Sequence, residues 1–160
     1  MLSKPYAGWS NFSLCERSFH LSYLTNIPYD WLDQAIHGLE TLLPFAVHGV
    51  CEPGRMICTV SYWNCHIIFE DEDRTEMSKE DAQWHIAHIS MLDFCKNLYV
   101  DISRDIDAWA QWLPVYDTEC EEDLEKVHCQ TKLALEKRLM RLKELILENQ
   151  NNFSDIRYFL

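Results

Sequence analysis

The side chains best suited to chemistry fall into three small groups. Asp101 and Asp105 stand four residues apart, with Arg104 and Asp107 beside them. On a helix such a pair shares one face, and paired carboxylates can hold Mg²⁺ or transfer protons. Joined by a histidine, they would serve a metal-dependent hydrolase. On the polar side of an amphipathic helix the same pair is a solvated face, the commoner outcome.

His85-x-x-His88 is the nearest approach to a metal motif. A helix would bring both rings to one ion, whereas a strand sends them to opposite sides. No spacing nominates further ligands. Cys51, Cys58 and Cys65 recur every seven residues, and His66 follows the last. Zinc ligands usually pair two to four residues apart, and strand neighbours such as Cys65 and His66 face opposite ways. Packed core thiols are the simpler reading, so no metal and no catalytic residue is assigned.

Gly occurs only at 8, 38, 49 and 54, too sparsely for a Gly-rich phosphate loop. Nucleophile elbows are absent too. No cofactor is expected.

Charge is the strongest signal. The 160 residues carry 26 acids against 14 bases, a net charge of −12. Nucleic acid and anionic membrane are repelled on average, while a basic protein is attracted. The acids are clustered. Residues 70–81 hold seven acids and two bases, beginning Glu70, Asp71, Glu72, Asp73. Residues 117–125 hold six acids and no base, including Glu119, Glu121, Glu122 and Asp123. Three aromatics sit where a surface is expected: Trp63 in a turn, and Trp112 and Tyr116 near a helix end. Aromatics rimmed by charge are the usual anchors of protein interfaces. The alternative for Trp63 and Trp112 is that they close the edges of the core.

The elements that must carry these groups are legible from periodicity. Alternation gives strands near 10–15 and 18–24. Thr25 or Asn26 can cap a helix with Pro28 in its first turn, and Pro44 closes it. Residues 45–70 read as a three-stranded meander turning on Pro53-Gly54 and near Trp63-Asn64. Trp84 to Ile89 reads as a further strand by its alternation, with a helix capped by Ser78 and Asp81 as the alternative. Ser90 with Asp93 starts a helix whose apolar stripe runs from Leu92 to Leu113. A last helix covers roughly 120–149, with Leu124, Val127, Thr131, Leu135, Leu139, Leu142 and Ile146 on one face. Its bases, Lys132, Lys137, Arg138, Arg141 and Lys143, are expected on the wet side. Residues 151–160 form a tail.

The fold class is therefore α+β: an antiparallel sheet of four to six strands, helices on one face, and a long C-terminal helix. One domain over 1–160 is expected, with a core over 1–119 and the long helix over 120–150. No stretch is apolar enough for a membrane helix. The first residues lack the apolar run of a secretion signal, and seven cysteines make an odd count. A cytoplasmic, thiol-reducing setting is the expectation.

The function expected is that of a non-catalytic acidic protein occluding a basic partner, such as a nuclease. In size, acidity and missing catalytic motifs it is similar to bacterial immunity proteins and phage anti-defence inhibitors, a likeness of type carried by no shared motif. Two alternatives stand beside it: a self-associating module or homodimer built on the last helix, and the Asp101/Asp105 hydrolase.

Overall fold

The computed structural model describes residues 1–70, 83–113 and 121–155. It is α+β. Strands β1 (Trp9–Leu14) and β2 (Arg17–Ser22) form a hairpin, and helix α1 (Ile27–Thr41) follows. Strands β3 (Phe45–Val50), β4 (Arg55–Val60), β5 (Cys65–Glu70) and β6 (Gln83–Ala87) make an antiparallel sheet in chain order. Helices α2 (Met91–Arg104), α3 (Ile106–Trp109) and α4 (Glu121–Asp155) complete it.

Period-two alternation sorts each strand into a buried and an outward side. Phe45, Val47, Met56, Cys58, Val60, Cys65, Ile67 and Ala87 all point into one core. There they meet Trp31, Leu32 and Leu39 of α1 and Phe94, Cys95 and Leu98 of α2. Phe12 of the hairpin joins from the side, its ring edge-on to Trp31 at 5.2 Å. Helix α1 approaches β3 so closely at Gly38 that a Cβ there would collide with the Phe45 ring.

The outer edge of β3 is closed by side chains. The Trp31 indole donates to the His48 carbonyl at 2.8 Å, and Thr25 Oγ1 accepts from the Val50 N–H at 3.0 Å. An unpaired strand edge invites association, and these two bonds occupy it.

Several expectations shift. Thr25 spends its hydroxyl on β3, and Asn26, the N-cap of α1, makes no side-chain cap bond. The first turn of the meander centres on Glu52 and Pro53, one residue earlier than expected, and Cys51 N–H donates to the Gly54 carbonyl. Ser90 does cap α2, accepting from Asp93 N–H at 3.1 Å. That helix ends at Arg104, however, because Asp105 leaves helical geometry at φ −117°, ψ 32°. The stripe Leu92–Leu113 is thus carried by two helices, not one. α4 is longer than expected: 35 residues, or about 52 Å, taking in half of the expected tail. Only its later part is docked. Leu135, Leu139, Leu142, Leu145, Ile146 and Phe153 are buried, whereas Leu124, Val127 and Thr131 are only half-buried.

The basic stripe of α4 is not merely wet. Arg138 holds Asp33 through Nε at 2.8 Å and Nη2 at 3.2 Å. Arg141 bonds Glu40 at 2.9 Å, and Lys132 bonds Asp107 at 2.6 Å. These bases rivet α4 to α1 and α3.

Candidate protein-binding face

The face of the sheet opposite the helices carries His48, Ile57, Ile68 and Trp84 in one cross-strand row. Thr59, His66 and Ile86 form the next. Nothing charged lies in either row. Ile57, Thr59 and Ile68 are half-covered by their neighbours, while Trp84 is 65% exposed and Ile86 46%. Exposed apolar clusters of this kind mark interaction surfaces, and a tryptophan is the commonest anchor. β6 is also the end strand of the sheet. Its residues 83, 85 and 87 pair with β5 in the hydrogen-bonded register, so the backbone groups of Trp84 and Ile86 point outward.

One described acid stands on the same face as Trp84. Glu70 ends β5 on the rung next to the Ile68–Trp84 pair, bonded to Arg55 of β4. β5 ends at Glu70 and β6, the strand of Trp84, begins at Gln83. The opposite edge strand, β3, is tied to the later helices. Val50 shares the Arg55–Glu70 rung and is held by Thr25, and the Trp112 indole donates to the Thr25 carbonyl at 2.7 Å. Val127 and Thr131 of α4 close a pocket of about 280 Å³ with Asn26, Pro28, Tyr29, Trp112 and Leu113. Asp123 lies exposed in the first turn of α4, before Val127 on the same helix.

The remaining expected anchors are placed differently. Trp112 is 2% exposed, so it is a core residue and not a surface anchor. Its indole N–H needs an acceptor and finds one in Thr25, which seals it inside. Trp63 is half-buried in the turn before β5, its ring edge-on to Tyr62 at 5.5 Å and to Phe153 at 6.2 Å. It closes the core where the end of α4 lands. Glu121 and Glu122 open α4. Asp71, Glu72, Asp73, Tyr116 and Glu119 lie outside the described residues.

The groups first considered for chemistry are separated or occupied. Asp101 is buried, and its Oδ2 accepts from Leu2 N–H at 2.7 Å with the Met1 amino group at 3.2 Å. Its Oδ1 is 3.2 Å from Arg104, whose Nε bonds Asp105 at 2.8 Å. The carboxylate pair expected on a solvated face is a clamp on the N-terminal segment. His88 bonds Asn64 at 2.8 Å, while His85 turns to the inner face of the sheet. Cys58 and Cys65 share a thiol hydrogen bond in the core, which together with burial holds the Cys58 thiol far above its ordinary range. Burial raises Cys95 likewise. Such thiols stay protonated and are poor nucleophiles. Among the described residues no three His, Cys, Asp or Glu side chains converge on a metal position, and no helix is long and apolar enough to cross a membrane.

Comparison with protein-family models, with curated proteins and with solved structures finds no match to this chain.

Proposed function

We propose that this chain is a non-catalytic binding protein that docks a basic protein and occludes it. Trp84 anchors the contact, and the acidic segments around it meet the partner's cations. The observation that carries this reading is the exposed Trp84 in an uncharged row of the sheet face, with Glu70, where the first acidic run begins, on that same face. The aromatic patch would govern how slowly the complex falls apart, and the acids how fast it forms. A partner that binds nucleic acid, such as a toxin nuclease, offers the complementary charge. In that case 70–81 and 117–125 stand in for phosphates.

The test is capture by the tagged chain from its source cells, washed at low and at high salt. It is repeated with Trp84→Ala and with a variant neutralising Glu70, Asp71, Glu72 and Asp73. One basic protein retained by the wild type, shed at high salt and lost with both variants supports the reading. A retained set that neither variant changes overturns it.

A second reading, self-association, rests on a specific feature of α4. Leu133, Met140 and Leu147 are 52%, 64% and 58% exposed and lie seven residues apart on one side of the helix. That is the repeat along which helices supercoil. A concentration-dependent mass abolished by Met140→Glu would favour it, and a monomer at all concentrations would remove it. The net charge of −12 opposes close pairing of two copies.

A further inference from the structure

Arg17 differs from the other described arginines in its partners. Five arginines lie among the described residues, and four hold carboxylates: Arg55 with Glu70, Arg104 with Asp101 and Asp105, Arg138 with Asp33, and Arg141 with Glu40. Arg17 has no carboxylate partner among the described residues. In a chain with 26 acids to 14 bases, carboxylates are plentiful. Instead Arg17, at the tip of the first hairpin, lines a pocket of about 350 Å³ between that hairpin and the inner face of the sheet. Two histidines join it from different strands, His20 of β2 and His85 of β6. Phe19, Phe69 and Pro53 supply its apolar wall.

We propose that this pocket binds a small aromatic anion. Its carboxylate or phosphate meets Arg17 and the His85 imidazole, and its ring packs on the phenylalanines. A guanidinium matches planar and tetrahedral oxyanions with paired donors. The His20 ring is already fixed. Its Nδ1 bonds Asn11 Oδ1 at 2.7 Å, and it stacks on Trp9 at 4.6 Å with a 5° tilt. Alternation along β2 sets that ring on the hairpin face opposite Phe19, so His20 stands at the rim, while Arg17 shares the Phe19 side. The Phe19 and Phe69 rings stack at 5.8 Å, a hydrophobic floor already assembled. The volume falls at the small end of ligand pockets, roughly 300–1,000 Å³. Net negative charge does not forbid an anion here, because fields beyond about 8 Å are screened at physiological salt. Among the described residues the lining holds Arg17 and two histidines and no acid.

The test is calorimetric titration of the full chain with phenyl phosphate, benzoate, inorganic phosphate and benzyl alcohol. Saturable binding of phenyl phosphate or benzoate is expected, with inorganic phosphate and benzyl alcohol at least about tenfold weaker because each lacks half the recognition. The stronger of the two aromatic anions tells phosphate from carboxylate. Arg17→Met should weaken binding by about tenfold or more, Arg17→Lys by less, and Lys137→Met on distant α4 not at all. Arg17 is exposed, so these variants fold. Absence of binding by both aromatic anions at about 10 mM overturns the proposal. So does binding that Arg17→Met leaves unchanged, and so does inorganic phosphate binding as tightly as phenyl phosphate.

Discussion

The backbone N–H of Leu2 donates to the buried carboxylate of Asp101 at 2.7 Å, tying the start of the chain to the last turn of α2. Arg104 holds the other oxygen. Removing the carboxylate would leave the Leu2 N–H buried and unsatisfied and would strip the clamp from Leu2, itself a core residue. Asp101→Ala should cost about 2–4 kcal/mol. Asp105→Ala loses only a more exposed pair and should cost under about 1 kcal/mol. Urea unfolding of the two variants measures the difference. Equal effects would show that the clamp does not hold the N-terminal segment.

Gly38 decides between two opposed effects. Alanine favours a helix interior over glycine by about 1 kcal/mol. Its methyl would strike the ring of Phe45, which is packed edge-on against Phe94 at 5.9 Å. Overpacking a core costs roughly 1–3 kcal/mol. Gly38→Ala should therefore lower the thermal midpoint, and a raised midpoint would mean the ring yields freely.

The buried thiols set a sign for alkaline pH. Burial and the Cys65 hydrogen bond raise Cys58, and burial raises Cys95. The unfolded chain releases these protons near pH 8.5, while the folded chain keeps them, so stability is full below that pH and falls above it. Each thiol contributes a slope of about 1.4 kcal/mol per pH unit between the unfolded and folded values. Unfolding in urea at pH 7.5 and pH 10 should show the loss. Cys95→Ala should make the dependence shallower by one thiol, and an unchanged slope would contradict the burial of Cys95.

α4 offers a paired comparison. Leu142 is fully buried and Met140 largely exposed, two residues apart on one helix. Leu142→Ala should cost about 3 kcal/mol, and Met140→Ala within about 0.5 kcal/mol. A charge placed at Leu135 or Leu142 would therefore unseat α4 from the body and would say nothing about self-association. Near-equal denaturation midpoints for the two alanine variants would mean that α4 is not docked through Leu142.

Much of the fold was legible because local rules settle it. Alternation around Phe12 and Leu21 marks the hairpin, Pro28 and Pro44 bracket α1, and Ser90 with Asp93 opens α2. The break at Asp105 was not legible, since the apolar stripe continues through it. The candidate site was read only in part. Glu70 was singled out from its acidic run, whereas Trp84, exposed on the same face, was not. Apolar Trp84 and Ile86 alternate with His85 and Ala87, and hydrophobicity alone would turn the first pair inward.

The sequence by itself determined the element types, their order, the antiparallel meander and the acidic balance, because periodicity, caps and charge are properties of neighbouring residues. Tertiary structure decided which side of each element is covered. Pairing of Cys65 with Ala87 turns Trp84 out to solvent. Thr25 draws the Trp112 indole inward, and Leu2 takes Asp101 out of the solvated face. Each outcome rests on a contact between residues more than twenty positions apart. A period names two sides of a strand or helix, but only the partner packed against one of them makes it the inside.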